Sequence, residues 1–392
     1  MRGRLKYFLL LSFAVCYSFQ CQNNNNTSAA PVAKTAFVGH SDSLKVVYSN
    51  LFYKLDTFFK NKYRFAGFNG SVIVAKGDRI YYQTALGYEN YQTKDTLTTA
   101  SSFQIASVSK TFTATAILYL VEHGKLNLDD TIGTFIPNFP YRNIRIKDLL
   151  SHRSGLPNYL HFGDVLWKDK SLYMSNDALI ELLKKFPKME GSYLPNKRFE
   201  YCNTNYAVLA TIVEKVSGKR FPAFMKETFF DPLGMTNSWI NDVTDTTRRK
   251  IAISYNSRWI PQKDDPYDGV YGDKGLYSST ADMLKWNLAF YQGKLISNEM
   301  QKEAYSPRSF ERPGVRNYGY GWRLMKQPNN EYLVYHNGWW HGNNTVFYRY
   351  VPDTFALIIL SNRYNRGVYN VQPIFDLING TSSAGGSMNG EE

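Results

Sequence analysis

Residues 103–114 read FQIASVSKTFTA and place Ser107 three positions before Lys110. The segment reads as the opening of an amphipathic helix, and residues three apart on a helix share a face. A serine hydroxyl has no acidity at neutral pH and needs a base before it can attack. Lys110 offers two forms of help. As a cation it stabilises a nearby oxyanion; as a desolvated amine it accepts a proton. The backbone N–H groups at a helix start also favour negative charge on Ser107. The plain alternative is a serine N-cap followed by a polar first turn. This is the only S-x-x-K in the chain.

Two further stretches carry chemistry. In FEYCNTNYAVLA (199–210), Tyr201 can shuttle a serine proton and Asn203 can orient either a lysine or a substrate amide. In YHNGWWHGNN (335–344), His336 and Gly338 fall on a predicted strand, where a histidine can bind a carboxylate or stabilise charge. Gly338 would let a substrate backbone lie along the strand edge. Neither pattern is specific alone. Tyr-x-Asn recurs at Tyr48, Tyr88, Tyr141 and Tyr335, and His-x-Gly recurs at His161.

The 392 residues, 43% hydrophobic and 20% charged, describe a globular chain of one large domain or two. Aromatics at 16%, including 30 tyrosines, suit surfaces that face carbohydrate or peptide. The net charge of +13 admits anionic partners, but no dense Lys/Arg run and no nucleic-acid motif is present, so no nucleic-acid partner is expected. The six histidines show no ligand spacing, so no metal is expected, and no other cofactor is called for. No G-x-S-x-G elbow appears, which disfavours a Ser-His-Asp hydrolase.

The N-terminus has Arg2, Arg4 and Lys6 ahead of an apolar run from Tyr7 to Val15, the pattern of a bacterial export signal over residues 1–21. Cys21 is followed by a polar tether and is a candidate for lipid modification and membrane attachment; ordinary cleavage nearby is the alternative. The expected location is therefore the bacterial envelope, periplasmic or membrane-anchored. Residues 22–42 read as a disordered linker, 43–378 as the folded domain and 379–392 as a flexible tail. Beyond the leader only Cys202 remains, so no disulfide within the mature chain is available.

Helical spacing covers Ser43 to Lys62. GSVIVAKGDRIYYQTALGY (70–88) reads as a hairpin turning at Lys76-Gly77-Asp78. Helices dominate from Ser107 to about Val216. YGWRLM, YLVYHN, NTVFYRYV and TFALIILSN form four late strands, and Val368 to Ile378 a last helix. This order predicts an α+β body: one antiparallel sheet built from both chain ends and flanked by helices, with a helical region inserted in the middle.

Serine pair, then Tyr-x-Asn, then His-x-Gly is the order found in the serine β-lactamase and penicillin-binding protein superfamily. From about Phe65 to Asn362 the chain resembles its β-lactamase-related branch, which includes class C β-lactamases, D-alanyl-D-alanine carboxypeptidases, D-amino-acid peptidases and some esterases. The stretches GKLNLDDTIGTFIP, IKDLLSHRSGLPNY, DPLGMTNSW, GLYSSTADMLKW and NYGYGWRL carry the same resemblance. It implies the β-lactamase/transpeptidase-like fold, with Ser107 as acylated nucleophile, Lys110 as its partner and Tyr201 as proton shuttle. It implies that Asn203, His336 and Gly338 bind substrate, and that the backbone N–H groups of Ser107 and Trp339 form the oxyanion hole. Cys202 is expected to be a small buried spacer.

Many β-lactamases have Lys-Thr-Gly as the third motif. Histidine at position 336 is similar instead to certain D,D-peptidases and D-aminopeptidases. The expected function is therefore an exported serine hydrolase acting through an acyl-serine on peptide, amide or ester bonds, with a small molecule, peptide or cell-wall fragment as substrate. A true β-lactamase is the alternative within the same chemistry. A non-catalytic penicillin- or peptidoglycan-binding relative is the alternative of another class.

Overall fold

The computed structural model describes residues 45–46, 49–185 and 194–380. The expected export signal, the linker and the tail beyond Gly380 lie outside the described residues.

An eight-stranded sheet forms the frame. Its spatial order is Lys45–Val46, Arg79–Leu86, Gly70–Lys76, Phe355–Ser361, Asn343–Tyr350, Tyr332–Trp340, Arg323–Lys326 and Arg316–Tyr318. The first hairpin turns at Gly77, whose φ of +56° suits a residue without Cβ. Its strand Gly70–Lys76 pairs antiparallel with Phe355–Ser361, from Gly70↔Ser361 to Lys76↔Phe355. The two chain ends thus close one sheet, as expected.

Alternation along the strands divides the core into two layers. Ile73 and Ala75 face a large cluster that includes Phe112, Leu209 and Trp286. Val72 and Val74 face the opposite side, against Leu55 and Phe59 of the Asn50–Phe65 helix and Ile374 of the Gln372–Asn379 helix. The central strands are buried on both faces, which is why they read as runs of aliphatic residues.

Three expected element boundaries are corrected. The first helix starts at Asn50, not Ser43, because Lys45–Val46 is a short strand paired in parallel with Arg79–Ile80. The late YGWRLM run is a strand only from Arg323; Gly321 has φ +80°, and the separate strand Arg316–Tyr318 precedes the turn. The last helix is broken into a 3-10 turn at Arg366–Tyr369 and a helix at Gln372–Asn379, where Pro373 occupies the first turn.

The Ser109–Glu122 helix is not amphipathic. Every residue from Ser109 to Leu118 is buried. The helix packs against the Asn203–Ser217 helix, and its Phe112 ring stacks on Trp286 of the Thr280–Tyr291 helix, which itself lies on the large sheet. Its threonines are tolerated because each hydroxyl finds a carbonyl: Thr111 on Val108, Thr113 on Gly272 and Thr115 on Thr111.

Candidate active site

A small three-stranded sheet unread in the sequence sets Ser107 in place. Phe103–Gln104 pairs with Leu276–Ser278, which in turn pairs with Trp239–Ile240. The Ile105 amide then donates to the Leu276 carbonyl at 2.9 Å. Ala106 follows with φ +49°, a left-handed conformation that costs a non-glycine residue about 1–2 kcal/mol. Such strain persists only where surrounding packing fixes it, and Ala106 is fully buried. Ser107 sits in the 3-10 turn Ala106–Val108, and its side chain does not cap the helix. The plain N-cap reading is therefore set aside.

Lys110 is completely buried. Its Nζ lies 3.0 Å from Ser107 Oγ, 2.8 Å from Asn203 Oδ1 and 2.8 Å from the Asp273 carbonyl. Two of these partners can only accept, so two N–H bonds are committed to them. The third direction points at Ser107. It can carry an N–H when Lys110 is an ammonium or a lone pair when it is an amine, with no other bond changed. That geometry is what a reversible proton acceptor for Ser107 requires.

Tyr201 precedes the Asn203–Ser217 helix, and its ring centroid lies 5.0 Å from Lys110 Nζ. What holds it there is His152, a residue that sequence reasoning leaves without a role. The His152 carbonyl accepts the Glu200 amide, its Nδ1 accepts the Cys202 amide at 3.1 Å, and its ring lies 4.3 Å from that of Tyr201. Its only signal along the chain is its place in IKDLLSHRSGLPNY. Cys202 is the expected buried spacer; burial pushes its thiol up to about 11.

Gly338 is wedged against the nucleophile. A Cβ there would lie 2.4 Å from Thr345 Oγ1, 2.5 Å from the Ile105 carbonyl and 3.0 Å from the Ser107 amide nitrogen. The neighbouring strand Arg323–Lys326 does not extend this far, since its pairing with Tyr332–Trp340 ends at Arg323↔Tyr335. From His336 onward the Tyr332–Trp340 strand therefore has an edge without a strand neighbour among the described residues, beside the Ala106–Val108 turn. The Trp339 amide follows directly on the Gly338 contact, while the Trp339 indole is 48% exposed and donates to the His341 carbonyl at 2.9 Å.

His336, expected to bind substrate by holding a carboxylate or stabilising charge, is enclosed by its neighbours. It is fully buried, with Nδ1 2.6 Å from the Asn337 carbonyl and Nε2 3.2 Å from the Tyr318 hydroxyl. Burial first, then the charges of Arg323 and Lys110, holds its pKa well below the ordinary histidine value. It is a neutral ring that supports the site from beneath. A permanent charge near the Tyr201 ring is Arg323, half-buried, with its guanidinium carbon 5.4 Å from the ring centroid. The structure thus links Ser107, Lys110 and Asn203 by hydrogen bonds, packs Tyr201 and Gly338 against them, and sets His336 behind.

Comparison with known proteins identifies the family. The family model described as Beta-lactamase matches residues 59–375. Penicillin-binding protein 4* of Bacillus subtilis is 32% identical over 337 residues, covering 79% of this chain and 71% of that protein. The octameric penicillin-binding protein homologue of Pyrococcus abyssi superposes with a TM-score of 0.72 at 27% identity, over 84% of this chain and 78% of that one. A D-amino acid amidase from Ochrobactrum anthropi SV3 shares the fold with a TM-score of 0.70 at 23% identity, over 85% and 99% of the two chains. The chain belongs to the Beta-lactamase family of penicillin-binding-protein-like serine hydrolases.

Proposed function

We propose that the protein cleaves amide or ester bonds through an acyl-Ser107 intermediate, with peptides ending in a D-amino acid as the leading substrate class. The hydrogen-bond set of Lys110 carries this reading. With two N–H bonds on Asn203 and Asp273, the Lys110 lone pair takes the Ser107 proton as Oγ bonds to the substrate carbonyl carbon. The carbonyl π pair moves onto oxygen, where the amides of Ser107 and Trp339 receive it. Collapse of this intermediate breaks the bond to the leaving amine or alcohol, which takes the proton from Lys110 with Tyr201 as relay. Water then repeats the sequence on the acyl-enzyme and restores Ser107.

Substrate preference follows from charge. A neutral, buried His336 leaves Arg323 as the cation beside Tyr201, which favours a substrate with a carboxylate on the leaving side of the scissile bond. The name of the Bacillus subtilis relative points the same way. A binding-only role has no use for a buried lysine aimed at a serine hydroxyl.

Intact-protein mass after incubation with a penicillin, a D-alanyl-D-alanine peptide and a p-nitrophenyl ester tests the reading. An adduct on Ser107 or cleavage of the peptide supports it, and rapid loss of a penicillin adduct points to the β-lactamase alternative. Turnover surviving in Ser107→Ala would overturn the mechanism. Export is proposed alongside, on the basic residues and apolar run before Cys21. Incorporation of a fatty-acid analogue that is lost in Cys21→Ala supports the lipid anchor; a secreted, unlabelled protein refutes it.

A further inference from the structure

Beside Lys110 lies a second buried lysine that the mechanism above does not use. Lys274 is 3% exposed, and its Nζ is 2.6 Å from the Tyr159 hydroxyl, 2.5 Å from the Tyr267 carbonyl and 3.3 Å from the Val270 carbonyl. The Tyr159 hydroxyl donates in turn to Asp273 Oδ2 at 3.0 Å, and Asp273 is 1% exposed. Hydrogen-bond counting fixes the charges. The two carbonyls only accept, and Tyr159 has spent its one hydrogen on Asp273, so it too must accept from Lys274. Three donated N–H bonds make Lys274 an ammonium, and its Nζ lies 4.0 Å from Asp273 Oδ1, so the two side chains form a buried ion pair. Burial pulls the Lys274 pKa down, and the charges of Asp273 and Asp268 oppose that pull.

The same residue, Asp273, presents its main-chain carbonyl to Lys110. The Trp340 ring, on the strand that carries Gly338, lies 5.0 Å from Lys274 Nζ. We infer that Lys274 is a positioning residue for Lys110: by neutralising Asp273 and gripping Tyr159 it fixes the carbonyl on which Lys110 hangs, and it sets a second buried cation near the first. The inference rests on the reading of Lys110 as the base for Ser107.

Among the described residues, the following groups also surround Lys110. Tyr201 and Tyr206 present rings at 5.0 and 5.8 Å. His152 and His336 are buried and neutral, and the Lys110 charge weighs against protonating either. Arg323 stands on the Tyr201 ring. Asp273 and Lys274 complete the set, and their side chains can be altered without touching the reacting atoms.

The test is the pH dependence of kcat/KM, normalised to sites titrated by acylation of Ser107, with melting temperature measured in parallel. Lys274→Met removes a cation and leaves the Asp273 carboxylate unbalanced, so Lys110 holds its proton more tightly. The acid limb moves to higher pH by about one unit, and the rate per titrated site read at a fixed pH on that limb falls about tenfold as a result. Asp273→Asn leaves Lys274 unbalanced and moves the limb the opposite way. Lys274→Arg keeps the charge and the limb. A merely structural role would lower the melting temperature and leave both limbs where they are, and that result overturns the inference. If Lys274→Met does not fold, the direction of the Asp273→Asn shift decides alone. A wild-type protein that never acylates at Ser107 overturns the functional reading and this inference with it; acylation with unmoved limbs overturns this inference only.

Discussion

Gly338→Ala tests the wedge between the strand and the nucleophile. Carbon and oxygen meet without strain at about 3.3 Å or more, whereas the new Cβ would lie 2.4 Å from Thr345 Oγ1 and 2.5 Å from the Ile105 carbonyl. Thr345 can turn away only by giving up its 2.8 Å bond to the Ile105 carbonyl, and that carbonyl is backbone, fixed by the turn that carries Ser107. The strand must therefore retreat by roughly 0.8 Å, the difference between contact distance and the clash. Overpacking of this kind costs about 1–3 kcal/mol, or about 2–6 °C in Tm for a chain of this size. The catalytic loss is larger, because the Trp339 amide moves off the oxyanion position, and losing one such donor costs about 10²–10³ in kcat. The assay is burst kinetics with a p-nitrophenyl ester together with thermal melting. Gly124→Ala is the control, since Gly124 has φ +63° with nothing near its missing Cβ: it should lose stability without losing kcat. A Gly338→Ala enzyme with kcat within about threefold of wild type, where the oxyanion argument requires 10²-fold or more, would refute the wedge.

Four other outcomes are expected. His152 and His336 have folded-state pKa values well below the ordinary 6.5, so the unfolded chain binds two protons that the folded chain refuses. Stability is full above that pH and falls as the pH drops through it, by about 3 kcal/mol in all between pH 7.5 and 5.5 for the pair; urea unfolding at those two pH values measures it, and His336→Gln should halve the loss. Arg323→Ala should raise KM about 10- to 100-fold for a carboxylate-bearing peptide, as expected for a lost charged hydrogen bond, with an uncharged ester unaffected; equal losses on both substrates would count against Arg323 as the anion site. Asp268 accepts from the Trp340 indole at 2.6 Å and meets His341 Nε2 at 2.9 Å, so Asp268→Ala should cost about 1.5–3 kcal/mol and shift tryptophan emission to longer wavelength. Cys202, with its thiol pushed up to about 11 by burial, should resist thiol reagents in the native protein and react only on unfolding, which mass spectrometry reads directly.

The parts legible in the sequence are those whose signal is local or ordered along the chain. Alternating residues mark the hairpin at 70–88 and the late strands, and the order of three short patterns marks Ser107, Lys110, Tyr201, Asn203 and Gly338. What stays hidden depends on partners far along the chain. Nothing near Lys274 announces that Tyr159 will bond it, and nothing near His152 announces that Tyr201 will lie on its ring. The Ser109–Glu122 helix reads as amphipathic because its threonines look like a polar face; each is buried on a carbonyl instead. The burial of His336 is hidden in the same way, because a sequence shows a residue type and not its surroundings.

The pairing of Gly70–Lys76 with Phe355–Ser361 has a consequence for how the protein is made. The sheet's central seam joins segments separated by most of the chain, so a growing polypeptide cannot close it until the last strand has emerged from the ribosome. Gly338 likewise reaches Ser107 only late. High contact order of this kind slows folding. A nascent chain without its C-terminal strands lacks both a finished core and a finished site. Were the protein exported as proposed above, that delay would be useful: the chain would stay threadable through a narrow translocation channel and complete its site only after its final strand arrives.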